Sequence, residues 1–278
     1  MRFILSAICG ACLLCFTGCL AEPEASMELP VIEGWFDSDG YPVVIFTSSL
    51  KPDDTDRSLA DKVIRWGVVK ISDGENEVIL TGAPAKDFFP PYRYYTTAMR
   101  GVPGKTYTVT ADYRKLHASA SCTMLPPTPI DSITVENIEG SDSLRAATLF
   151  FTSPPDVPAF YYVTVREKGK GARPLPALLG TLRAADAGRK MAIPVYHPKN
   201  LLDSAHYRPQ LISGEELEVN LCRVTEDVYG FWCSYDNAVL TGNSQFLNNT
   251  AETNRGNIFG GYGIWSVQGT SHFYLTVP

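Results

Sequence analysis

Lys105-Thr-Tyr-Thr-Val-Thr-Ala-Asp-Tyr113 decides the fold class. Tyr107, Val109, Ala111 and Tyr113 share one side of a two-residue period, and Thr106, Thr108, Thr110 and Asp112 share the other. An apolar row alternating with β-branched polar residues describes a half-buried strand, apolar side to the core. Val102-Pro-Gly-Lys105 precedes it as a turn, with proline presetting the first φ angle and glycine taking a positive one. The same rhythm continues outward. Val31–Phe36, Val43–Thr47, Trp66–Ile71, Glu77–Leu80, Tyr92–Ala98 and Ala118–Met124 all read as short strands divided by turn residues. With Lys105–Tyr113 they predict an N-terminal β-sandwich over 31–124, of immunoglobulin-, transthyretin- or fibronectin III-like kind.

Leu125-Pro-Pro-Thr-Pro-Ile-Asp131 interrupts the pattern, because proline cannot donate to a sheet ladder and stiffens the chain into an extended connector. A domain boundary is expected there, with a proline-rich linker over 125–131 and a C-terminal β-rich domain over 132–278. Ile133–Ile138, Ala146–Phe151, Tyr161–Arg166 and Glu216–Val224 read as further strands, and Leu175–Arg189 as weakly helical or loop. Between Thr225 and Gly242, Val228, Phe231, Trp232, Tyr235 and Val239 fall on one helical stripe, with Thr225 able to cap it, so a helix is expected near 226–241. Tyr262–Val267 and His272–Val277 suggest a closing hairpin. The predicted class is mainly β: two sandwich-like domains, the second with a helical insertion.

The whole chain has 278 residues, with 24 Lys+Arg against 30 Asp+Glu, a formal charge of −6. That balance argues against a general nucleic-acid binder, which needs a basic face, and the aromatic content excludes wholesale disorder. Seven cysteines suggest a disulfide framework until their positions are read: Cys9, Cys12, Cys15 and Cys19 crowd the first nineteen residues. Arg2 is followed by an uncharged apolar run from Phe3 to Phe16, too short to span a bilayer and suited to an export signal over 1–18. Phe16-Thr-Gly-Cys19 resembles a bacterial lipobox, with Phe16 standing at the usual aliphatic position. It makes Cys19 the expected lipidation site, carrying acyl groups such as palmitate at the mature N-terminus. The stretch from Cys19 to Pro30 is an acidic tether, either a plain spacer or an export address, since its acidic residues resemble surface-export signals of Bacteroidota lipoproteins.

Several segments in order carry a wider resemblance: Val31-Ile-Glu-Gly-Trp35, Trp66-Gly-Val-Val-Lys-Ile-Ser-Asp73, Gly104-Lys-Thr-Tyr-Thr-Val109, Leu125-Pro-Pro-Thr-Pro-Ile-Asp-Ser-Ile133 and Gly256-Asn-Ile-Phe-Gly-Gly-Tyr-Gly-Ile264. Together with the lipobox they resemble the bacterial lipoprotein family of domain of unknown function 4249. The resemblance implies a lipid-anchored outer-membrane lipoprotein that accompanies a TonB-dependent receptor, and the acidic tether, where it is an export address, a surface-exposed one; neither implies an activity. A structural or adhesive cell-surface sandwich protein is the other reading.

Catalytic chemistry is poorly represented. The histidines are His117, His197, His206 and His272, and no zinc, nucleophile-elbow or phosphate-loop motif surrounds them. His197 and His206 match no recurrent metal spacing, and Asp53, Asp54 and Asp56 lack the glycine and distal glutamate of a calcium loop. Gly256, Gly260, Gly261 and Gly263 precede a strand-like Ile264–Val267 rather than a helix, which favours a bulge or tight turn over a nucleotide loop. No catalytic residue, metal or cofactor is therefore expected. Among the mature cysteines, Cys222 and Cys233 are the pair nearest in sequence; an exported setting permits their bridge, and burial as free thiols is the alternative. The best binding candidate is Phe88-Phe89-Pro-Pro-Tyr92-Arg93-Tyr94-Tyr95, where a dry face can take only alternate rings and the others would either meet a receptor or cargo or be covered by neighbouring loops or the second domain. Phe259, Tyr262 and Trp265 form a second candidate, unless they pack onto Trp232 and Tyr235.

Overall fold

The computed structural model describes residues 28–49, 59–86, 88–169, 173–198, 207–241 and 256–278. The signal sequence, Cys19, the start of the tether, Asp53, Asp54, Asp56 and His206 lie outside the described residues. The chain is mainly β. Its strands are β1 (Pro30–Asp37), β2 (Val43–Ser48), β3 (Val68–Ser72), β4 (Glu77–Ile79), β5 (Thr81–Pro84), β6 (Tyr92–Tyr95), β7 (Thr106–Tyr113) and β8 (Leu116–Thr123) in the first half. They continue with β9 (Ile130–Asn137), β10 (Leu144–Thr152), β11 (Ala159–Glu167), β12 (Leu175–Ala184), β13 (Lys190–Val195), β14 (Leu211–Ile212), β15 (Glu216–Val224) and β16 (Tyr262–Thr276). One helix, α1 (Glu226–Thr241), carries Glu226 and Asp227 at its positive N-terminal end.

Two sandwiches share one sheet. An eight-stranded sheet in the order β12-β11-β15-β16-β1-β2-β6-β5 runs through the molecule. One half of its inner face is covered by β4-β3-β7-β8, and the other half by β13-β10-β14 with β9 paired to β10. The shared element is β16. It pairs parallel to β1 from Val31↔Tyr262 to Asp37↔Gln268, then antiparallel to β15 from Arg223↔Gly269 to Glu216↔Thr276. At fifteen residues it is about 50 Å long, enough to serve both sandwiches in turn. The expected closing hairpin is thus a single strand, and the 31–124 sandwich is completed by residues from the far end of the chain. The 125–131 linker separates the two cores without separating the sheet, and it is itself packed: Thr128 Oγ1 lies 3.0 Å from Tyr161 OH on β11.

The two cores follow from the strand alternation. In the first, Trp265 is fully buried beside Phe36, its indole Nε1 donating to the Tyr107 carbonyl at 3.0 Å. Glycine at position 34 makes room for it, since a Cβ there would lie 2.6 Å from the indole ring. Phe36 also meets Tyr107 edge-on at 4.6 Å. The second core centres on Leu149, Phe151, Tyr161, Val163, Val219 and Leu221. Leu175–Arg189, expected as helix or loop, instead forms β12 and the turn into β13. Its pairing with β11 breaks register between Tyr162 and Thr164, beside Leu179 at φ +55°, and that irregularity hides the two-residue period.

Candidate functional site

The outer face of the eight-stranded sheet carries a row of polar side chains where strands normally meet solvent, and α1 partly roofs it. Register puts Tyr162 beside Cys222, Thr164 beside Asn220, Cys222 beside Thr270 and Asp37 beside Gln268. These groups hydrogen-bond one another. Tyr162 OH donates to Gln268 Oε1, which also accepts from Ser266 Oγ at 2.8 Å. Gln268 Nε2 donates to Asp37 Oδ1 at 2.6 Å, and Thr270 Oγ1 donates to the same oxygen at 2.6 Å. Asn220 Nδ2 donates to Thr164 Oγ1 at 3.2 Å, and the Asn220 Oδ1 lies 2.8 Å from His272 Nδ1. Burial drives the Tyr162 hydroxyl well above its ordinary pKa, so it stays a neutral donor.

Above this floor opens a cleft of about 50 Å³. Trp232 of α1 stacks on Tyr162 at 5.2 Å and forms one wall, while Arg173 and Pro174 lead over Trp35 and form another. Arg173 bonds Glu33 and lies 4.2 Å above the Trp35 ring. From there the packing continues as a ladder: Trp35 stacks on Phe88 at 5.9 Å, and the Arg93 guanidinium sits 5.1 Å from the Phe88 ring and 4.8 Å from the Tyr95 ring. Alternating cations and aromatic faces are mutually attractive, and each pair contributes about 0.5–1 kcal/mol where solvent reaches it. Two buried donors of this region, Trp232 Nε1 and Arg93 Nε, have no acceptor among the described residues.

The aromatic segment read from sequence therefore joins the cleft on one face, but its members divide. Phe89 is 55% exposed, and Tyr92, Arg93 and Tyr95 are half-buried. Phe88 is buried under the ladder, and Tyr94 is buried with its hydroxyl donating to the Ile64 carbonyl at 2.7 Å and accepting from Gly67 N–H. Neither ring is available to a partner. Trp265 is likewise removed from the contact candidates, because the glycine-rich segment turns it inward, where Asn257 clamps its backbone N–H and C=O at 2.8 Å each. That pairing accounts for Gly256–Ile264 as a strand entry rather than a nucleotide loop. Trp35, Arg173, Tyr162, Asn220, Gln268 and Trp232 were not singled out as one site by sequence. Their signal is the alternation of Glu218, Asn220 and Cys222 against Leu217, Val219 and Leu221, which reads as a solvent face when no roof is visible.

Cys122, Cys222 and Cys233 are free thiols. Cys222 is engaged by the polar floor, accepting from Gln268 Nε2 at 3.4 Å, and burial pushes its pKa up, as it does for Cys122. His197 faces Glu215 at 3.0 Å rather than a ligand set, and among the described residues no group of His, Cys, Asp and Glu converges as a metal site. No helix among them is long and apolar enough to cross a membrane.

Residues 22–272 match the family model described as a domain of unknown function, DUF4249. No curated protein matches the chain.

Proposed function

The chain belongs to the family of the domain of unknown function DUF4249, and from that premise we propose that it is a lipid-anchored outer-membrane lipoprotein acting without catalysis. Its role in this reading is accessory binding partner of a TonB-dependent receptor in nutrient uptake. The observation that carries the reading is Phe16-Thr-Gly-Cys19, placed behind an export signal and about ten residues before β1. A cysteine acylated there holds a folded β-domain close to the bilayer, since each buried methylene contributes about 0.8 kcal/mol and several chains act together. The outer sheet face supports binding over chemistry: its carboxylate and amides satisfy each other, and the aromatic ladder that leads from its small polar cleft ends on Tyr95 beside exposed Phe89. Aromatic rings flanking fixed hydrogen-bonding groups suit a protein partner or cargo.

Purification of the chain from crosslinked native membranes tests the assignment. The expected outcome is enrichment of a TonB-dependent receptor, reduced at least severalfold by Phe89→Glu. Repeated purification of the anchored chain without any such receptor overturns the partnership.

A further inference from the structure

We infer that the end of the first sandwich where the chain enters β1 docks directly on anionic lipid headgroups, with Trp66 and Phe259 dipping into the interface and Arg65, Arg114 and Lys115 around them. The inference rests on the lipid-anchor reading of Cys19 and adds an orientation to it.

Strand register brings these residues to one end. Pro30, the first residue of β1, lies opposite Ser48 of β2, and Val31 lies opposite Tyr262 of β16. Val63 bridges Thr47 next to that point, and the chain then passes Arg65 and Trp66 into β3, whose Val68 lies opposite Asp112 of β7. Beyond Asp112 come Tyr113 and Leu116, paired across the two-residue turn Arg114-Lys115. Phe259 bridges Ser119 on β8 through both backbone hydrogen bonds, three residues before β16 begins. Trp66 is 86% exposed and Phe259 78%, an unusual exposure for two large rings, and Arg65, Arg114 and Lys115 are exposed with them. Of the carboxylates at this end, Glu28 and Asp112 face Lys62 and His117, and exposed Asp61 stands beside Lys62 in the chain.

Chain length gives these residues their partner. Nine peptide units separate Cys19 from Glu28, which reach about 30 Å at full extension. An acyl group at Cys19 therefore holds this end near the bilayer, whereas the far end of β16, about 50 Å along the sheet, lies beyond that reach. Tryptophan is favoured at the membrane–water interface, and each cation near an anionic surface contributes about 1 kcal/mol. Because the tether carries Glu22 and Glu24, that attraction must come from the folded end. In this orientation β16 points away from the bilayer and the second sandwich is distal.

Mature protein purified from the membranes of cells that export the full chain, reconstituted in phosphatidylglycerol vesicles with brominated acyl chains, tests the inference through tryptophan quenching. The wild type is expected to lose about a quarter of its emission, Trp66 being one of four tryptophans, and Trp66→Phe to lose almost none. Replacing Arg65, Arg114 and Lys115 by Glu should reduce the wild-type quenching at least about twofold, and phosphatidylcholine vesicles should do the same. Equal quenching of wild type and Trp66→Phe, or of the two vesicle types, overturns the docking. Salt-washed vesicles score the anchor separately. A wild-type chain that washes off overturns the anchor reading and this orientation with it, whereas a retained chain with unquenched Trp66 overturns the docking alone.

Discussion

Asp236 shows how one residue registers the roof over the sheet. It sits on α1, buried, accepting from Thr181 Oγ1 of β12 at 3.2 Å, and burial raises its pKa from 3.8 to about 6. A folded-state pKa above the unfolded one means that the folded chain binds more protons between pH 4 and 6. Stability from this group is therefore greatest at low pH, declines as pH rises through that window, and stays lowered above it. Asp236→Asn should gain on the order of 2–3 kcal/mol at pH 7 and remove that slope, read as the difference between wild-type and variant urea midpoints at pH 4 and 7. A variant no more stable at pH 7 than wild type contradicts the assignment. At the same scale, Trp265→Ala should cost about 3–5 kcal/mol by leaving a cavity between Phe36 and Tyr107, with loss of the near-ultraviolet circular dichroism signal as readout.

At the scale of elements, β1, β2, β7, β8 and β15 lie where their segments read as strands, although β2 and β15 are covered on both faces, and α1 lies where its stripe puts it. β13 and the two-residue β14 were not read as strands, and three further features were hidden, each for a physical reason. β12 is broken by a bulge, so its period does not survive. β5 carries only Thr81–Pro84, too short and glycine-containing to alternate. β16 was divided at Gln268–Ser271 because polar residues there look like a turn, when they face the covered outer side of the sheet or a neighbouring strand. The candidate site was half legible. The run from Phe88 to Tyr95 holds the right chemistry, but burial of Phe88 and Tyr94 depends on Trp35, Arg93 and the Ile64 carbonyl, which spacing does not bring together. Gly263 tests the parallel β1–β16 pairing: at φ +107° a Cβ would lie 1.9 Å from the Ile32 carbonyl oxygen. Gly263→Ala should destabilise by more than about 3 kcal/mol, and Ala at exposed Gly188, also at positive φ but where a Cβ would meet no atom within 4 Å, by less. Comparable thermal midpoints for the two variants contradict the pairing.

For the whole molecule, the shared sheet makes two cores interdependent although the linker at 125–131 suggests separable domains. A fragment of residues 28–129 lacks β16, hence Trp265, Ile264 and Val267 of its own core. It should fail to fold, with no cooperative thermal transition, and adding a peptide of residues 256–278 should restore one; a fragment that folds alone contradicts the architecture. The same continuity gives the molecule a long axis, with the entry to β1 at one end and the second sandwich at the other, so whatever holds the N-terminus sets which face meets a partner. The proposed function then depends on the chemistry of one residue. Mass spectrometry of the mature N-terminal peptide, taken from cells that export the full chain, measures it directly. The account predicts a peptide that begins at Cys19 and carries acyl chains on its sulfur and amine; a mature chain that begins elsewhere, with Cys19 removed or present as a free thiol, contradicts it.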